Sequence, residues 1–114
     1  SVATSIKLTT ANDAIGRDPA SFTIYGTNAN LDLSGSSFSL TYFTMVASEN
    51  LLLPSARLAS QTIEFTNSTA YATYLIVFPT IKNITQNSMQ IAEVQLLTAT
   101  PKGSFLSLRF GSAI

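Results

Sequence analysis

The chain contains no cysteine, no histidine and no tryptophan. Without cysteine no disulfide can brace the fold, which must rest on packing alone. Missing histidine and cysteine together exclude the Ser-His-Asp and Cys-His arrangements of nucleophilic catalysis and the usual zinc sites. Charge is scarce as well: charged residues make up 11%, with 6 Lys and Arg against 6 Asp and Glu, so the formal net charge is zero. No basic stripe exists to track a phosphate backbone, which argues against nucleic acid as a partner. No block of like charges reads as an interaction tail. No apolar run approaches the roughly 18 residues that a membrane-spanning helix needs. The chain opens on Ser1 with neither methionine nor a signal-peptide pattern, which reads as a processed mature chain or an excised piece.

What is present is apolar and short in period. The 114 residues, 46% of them hydrophobic, are enough for one domain with a buried core. Residues 2–10 alternate apolar and polar positions, with Ile6 and Leu8 on one face. A polar corner over residues 12–19 follows, then a second run over 21–26 carrying Phe22 and Ile24. Such alternation, broken by Asn, Asp, Gly and Pro, predicts strand, corner, strand. Residues 28–37 read as a polar loop anchored by Leu31 and Leu33. Further strands are expected at 39–47, 61–65, 71–78, 89–97 and 104–110, with a short apolar segment at 51–53 stopped by Pro54. In the 39–47 strand, Leu40, Tyr42, Thr44 and Val46 share one face, and Phe43 and Met45 the other. The 61–65 strand sets Ile63 and Phe65 on one face. The 71–78 run is apolar on both faces and reads as a central strand, ended by Pro79, which cannot donate to a ladder. No useful helical period appears. The fold class is therefore all-β, an antiparallel sandwich, with Phe22, Ile24, Leu75, Val77, Ile91 and Val94 as its expected core.

The wording of two blocks carries a resemblance. Arg17-Asp18-Pro19 leads into Ser21-Phe22-Thr23-Ile24-Tyr25-Gly26-Thr27-Asn28, and a closing run spans Asn87 to Leu97 and includes Ala92-Glu93-Val94. Together they resemble the discoidin-like (F5/8 type C, galactose-binding-like) family, in the variant found in bacterial surface and exported proteins. The resemblance implies a jelly-roll β-sandwich over residues 1–100, incomplete at its N-terminus, and an extra C-terminal strand or tail over 101–114. It implies an extracellular or cell-surface setting. It also implies that the corner of Asn12, Asp13, Arg17 and Asp18 helps hold the sandwich together. In the family the closing glutamate, here Glu93, often helps bind a structural calcium; its usual companions in an Asp-Gly-x-x-x-Thr loop have no counterpart here. Carbohydrate binders of the family place aromatics, Arg and His on loops, and this chain has no His or Trp.

Several residues invite a functional reading beside a plainer one. The corner offers oxygen donors for a ligand or calcium; equally, Arg17 pairs with a carboxylate while Asn12 or Asp13 bonds the turn backbone. Glu93 lies in a strand that reads as buried and so needs a partner, either in a metal site or as a hydrogen-bonded edge residue. Asn67-Ser68-Thr69 and Asn83-Ile84-Thr85 are both N-x-S/T sequons in expected turns, where a glycan would be tolerated; asparagine also suits tight turns by itself. Tyr25, Tyr42, Tyr71 and Tyr74 could stack on a sugar but are spaced as strand residues. The carboxylates Asp13, Asp18, Asp32, Glu49, Glu64 and Glu93 are scattered, without the facing pair that glycoside hydrolysis requires, and no enzyme is expected. No cofactor is expected beyond that structural calcium.

The tail is apolar: Phe105, Leu106, Leu108 and Phe110 make it strand-like. A sandwich short of its opening strands exposes an unpaired edge, and a spare strand elsewhere can fill it. The expected partners are copies of the chain itself, joined by strand complementation into a glycosylated filament or surface layer. A carbohydrate-binding module anchoring a larger protein, with glycans as its partners, is the alternative. The tail folding back on its own domain is the plainer outcome.

Overall fold

The computed structural model describes residues 2–29, 40–98 and 107–112. Seven strands occur among them: β1 (Ala3–Thr9), β2 (Ser21–Thr27), β3 (Thr44–Asn50), β4 (Ser60–Glu64), β5 (Thr73–Phe78), β6 (Glu93–Thr98) and β7 (Ser107–Ser112). Single 3-10 turns lie at Ile15–Arg17 and Leu40–Tyr42. The strands form two sheets, ordered β4-β1-β6 and β3-β2-β5-β7. One apolar cluster lies between them, drawing Ile6 and Leu8 from β1, Phe22 and Ile24 from β2, Tyr74, Ile76 and Phe78 from β5 and Leu96 from β6. The domain is thus all-β and sandwich-like. No helix among the described residues is long and apolar enough to cross a membrane.

Every ladder is antiparallel except β5–β7, which is parallel. The expectation of a purely antiparallel sandwich is corrected there. β6, which precedes β7, belongs to the opposite sheet, so no hairpin can join the two, and parallel pairing needs no hairpin. β7 runs from Thr73↔Ser107 to Phe78↔Ser112 along β5. Within this single chain, then, the tail strand lies on its own domain. Leu108 and Phe110 fall in that ladder; Phe105 and Leu106 lie outside the described residues, as do Leu31, Leu33 and most of the 28–37 loop.

Local sequence explains the faces. In β1 a bulge between Ala3 and Ser5 shifts the register against β6. The extra residue lets Ala3 and Ile6 both point into the core, although their separation is odd. In β5 the register Ile24↔Ile76 and Gly26↔Tyr74 turns Tyr74, Ile76 and Phe78 inward. Leu75 and Val77 therefore take the opposite face. Leu75 is buried on that face, beside the β2 and β7 backbones, while Val77 is half-buried. Both faces of β5 read as apolar, so alternation could not select between them. Ile91 and Val94 are partly buried and pack against the core rather than within it.

Two strand expectations shift. The run at 39–47 begins as the Leu40–Tyr42 turn, and β3 starts only at Thr44, opposite Gly26. β3 is an edge strand on which Met45 is exposed, as are Leu40 and Tyr42 in the turn before it. Residues 89–92 precede β6 as irregular chain. They are held by Gln90 N–H donating to Arg17 O (2.8 Å) and Ala92 N–H to Thr9 O (3.0 Å).

Gly26 is required by close approach. A Cβ there would overlap the ring of Tyr71, which meets Tyr74 edge-on at 5.7 Å between centroids and 83°. The Tyr74 hydroxyl crosses the core and accepts the N–H of Ala3 at 3.0 Å, tying one sheet to the other. Ile76→Ala is expected to cost about 2–5 kcal/mol in urea unfolding, and Val77→Ala clearly less. Gly26→Ala should cost about 1–3 kcal/mol through overpacking against Tyr71. Equal losses at Ile76 and Val77 would contradict the facing of β5.

Candidate functional site

The polar corner between β1 and β2 gathers side-chain and backbone bonds from several stretches of the chain. Asp18 lies at its centre with its side chain fully buried. Arg57 reaches it as a fork: Nη1 donates to Oδ1 at 3.0 Å and Nη2 to Oδ2 at 2.7 Å. Lys82 Nζ approaches Oδ2 at 3.3 Å. The two cationic side chains stay 20% and 24% exposed, so the excess positive charge faces water while the carboxylate does not. Hydrogen bonding to Asp18 pushes the Arg57 guanidinium further above its ordinary value, burial opposes this, and the charges of Asp18 and Asp13 add to the rise. The fork is charged at every pH at which a protein folds.

The corner is bound to the chain on every side. Arg57 also donates to the carbonyls of Asp13 (3.2 Å) and Ser55 (3.1 Å), and Lys82 Nζ to Leu53 O (2.8 Å). The backbone of Lys82 donates to Asp18 O, that of Asn83 to Gly16 O, and that of Gln90 to Arg17 O. The Thr10 hydroxyl, fully buried, donates to Ala56 O (2.9 Å) and accepts from Ala59 N–H (2.9 Å). Buried Leu51 and Leu53 anchor the segment before Pro54. The chain then turns back through Leu58, whose positive φ of 54° is costly for such a side chain. That turn delivers Arg57 to Asp18.

These contacts place the corner's residues differently from one another. The Asp18 carboxylate is fully buried and paired with two cations. The cation that pairs with it is Arg57, not Arg17; Arg17 instead donates from Nε to Gln86 Oε1 at 3.3 Å. Arg17 is the last residue of the 3-10 turn and bonds Gln86 rather than the neighbouring carboxylate, so adjacency in sequence did not become contact. Asn12 and Asp13 are exposed, and Asp13 contributes its carbonyl rather than its carboxylate. Arg57 and Lys82 were not legible as site residues. The available signal was scarcity: a buried aspartate in a chain with 6 Lys and Arg must recruit its partners from distant loops.

Glu93 is exposed at the first position of β6, which corrects its expected burial. It rims an open cavity of about 240 Å3 lined otherwise by Phe78, Met89, Ile91, Ala92 and Val94. Calcium takes six to eight oxygens, and these neighbours are apolar, so the donor set around Glu93 does not fit that ion. Among the described residues no group of three or more His, Cys, Asp or Glu could hold a metal.

The two sequons differ. Asn67 was expected to project outward. Instead its Nδ2 donates to Ala3 O (3.0 Å), Thr69 O (3.1 Å) and the Tyr74 hydroxyl (3.3 Å), completing the inter-sheet tie. Asn83 is exposed on the 82–86 loop. Of the tyrosines, Tyr74 is core, Tyr71 packs against it, Tyr25 is half-buried on β2, and Tyr42 is exposed in the Leu40–Tyr42 turn. No protein-family model matches the chain, and no curated protein matches it.

Arg57→Leu leaves a buried carboxylate short of its fork and is expected to lower the denaturant midpoint sharply. Asp18→Asn removes the buried charge itself and should cost about 3 kcal/mol. The double variant should be less destabilised than the sum of the two, as read by a double-mutant cycle. Additive losses would show that the fork carries no coupling.

Proposed function

We propose that this chain is a non-catalytic, discoidin-like jelly-roll module that acts outside the cell as a structural subunit. It associates with copies of itself by strand complementation, into a filament or surface layer. One observation carries this reading: β7, the C-terminal strand of the sheet, is held through a single parallel ladder on the edge of β5. Parallel ladders are slightly weaker per residue than antiparallel ones. A strand from a neighbouring copy can supply the same backbone groups at the same register, which is the physical basis of strand exchange. Head-to-tail exchange that does not close generates a filament. The scarcity of charge favours the reading, because it leaves little repulsion between copies.

A second reading, a carbohydrate-binding module, draws on the cavity beside β6. It combines apolar walls from Phe78, Met89 and Ile91 with the carboxylate of Glu93 at its rim, a pairing that suits a small ligand with one apolar face and hydroxyls to donate. Particle size separates the two readings. The full chain is expected to sediment as polymers that lengthen with concentration, and a variant lacking residues 104–114 as subunits that do not polymerise. A full chain that stays monomeric at high concentration, or a truncated chain that polymerises unchanged, would contradict strand exchange. Saturable heat on titration with free monosaccharides, lost in Glu93→Gln, would then favour the module.

A further inference from the structure

We infer that the folded protein accepts a sugar at Asn83 and excludes one at Asn67. Both asparagines stand in an N-x-Thr triplet, and sequence alone makes them equivalent. Their amide nitrogens are placed in opposite circumstances.

At Asn67 the amide nitrogen is committed. A primary amide carries two N–H donors, and here three acceptors surround them: Ala3 O, Thr69 O and the Tyr74 hydroxyl. Ala3 and Tyr74 are both fully buried. A sugar on Nδ2 replaces one of the two hydrogens. The remaining one cannot serve the buried carbonyl and the buried hydroxyl together, and the sugar would have to pass where β1 and β5 are tied. Glycosylation at this position therefore requires that end of the sandwich to open.

At Asn83 the amide nitrogen is free. The carbonyl oxygen Oδ1 accepts from the Thr85 hydroxyl at 2.7 Å and from the Thr85 N–H at 3.0 Å. The backbone carbonyl closes the turn by accepting from Gln86 N–H at 3.0 Å. Every anchor of this side chain thus runs through oxygen. Among the described residues Nδ2 donates no hydrogen bond. Asn83, Ile84 and Thr85 are all exposed, and Gly16 lies beside the asparagine, where a Cβ would come within 3.5 Å of Nδ2. A larger residue at 16 would crowd the asparagine, its Cβ falling 2.9 Å from Asn83 Cβ.

The chemistry is transfer of a hexose from a nucleotide-diphosphate donor. A bond forms between the anomeric carbon and Asn83 Nδ2. The bond from that carbon to the diphosphate oxygen breaks, the nucleoside diphosphate leaves with the electron pair, and the amide gives up one proton. Asn83 stands on the 82–86 loop, apart from the β5–β7 ladder, so it takes sugar whether or not copies assemble.

The test uses the purified folded chain, UDP-glucose and a soluble asparagine glucosyltransferase that recognises N-x-Ser/Thr, with peptide mass mapping over time. Folded protein is expected to gain one hexose, at Asn83, at least about tenfold faster than at Asn67, since Asn67 reacts only through local opening. Chain unfolded in dilute urea should gain hexose at both positions at similar rates. Asn83→Gln should leave the folded form only the slow modification at Asn67, and Thr85→Ser should preserve fast modification at Asn83 where Thr85→Ala does not. Comparable rates at the two asparagines in the folded protein would overturn the inference. So would an unreactive Asn83 in folded protein whose unfolded form reacts there.

Discussion

The buried carboxylate of Asp18 is the constraint around which the rest of this domain is arranged. A charge removed from water must be matched by charge and hydrogen bonds at close range. Here the charge and its match come from three separate stretches of chain. The corner supplies Asp18, the 54–58 turn supplies Arg57, and the segment after β5 supplies Lys82. Each had to be brought to one point, and doing so fixes how β1 leaves one sheet for β2 in the other. The same demand accounts for the positive φ at Leu58: a strained turn is tolerated where it places the guanidinium fork.

A second, smaller tie holds the opposite end of β1. There the Tyr74 hydroxyl spans the core to Ala3, and Asn67 closes the arrangement from the side. The two ties act on the two sheets at opposite ends of the same strand. Between them lies an apolar core with no disulfide to support it. This division explains why a chain so poor in charge still concentrates polar contacts at its corners. The middle of the sandwich is held by non-directional burial, and the ends by directional bonds that set which sheet faces which.

The fold class was legible because period-two alternation is a local property, written residue by residue in β1, β2 and β4. Ile63 and Phe65 were placed on one core-facing side for the same reason. Other features were not local. β5 is apolar on both faces, so its inward residues depended on the register with β2. The 39–47 run carries strand-forming residues throughout, yet its ladder with β2 begins only at Thr44, opposite Gly26, and Leu40–Tyr42 form a 3-10 turn instead. At the corner the sequence marked Asp18 but paired it in expectation with its neighbour Arg17. The actual partners lie 39 residues away in Arg57 and in a loop beyond β5. Glu93 looked buried because its neighbours are apolar, but it opens the strand at the rim of the sandwich.

The sequence by itself determined that this is a β domain without disulfides, without histidine or cysteine side chains, and with its 6 Lys and Arg matched by 6 Asp and Glu. Those conclusions follow from composition and short-range pattern, which do not depend on what meets what. Tertiary structure alone decided the rest: the parallel docking of β7 on β5, the choice of Arg57 and Lys82 for Asp18, and the different hydrogen bonding of the two N-x-Thr triplets at Asn67 and Asn83. Each of these turns on contacts between residues far apart in the chain. A hydrogen bond or a strand register is a relation between two such places, and nothing in either place alone specifies the other.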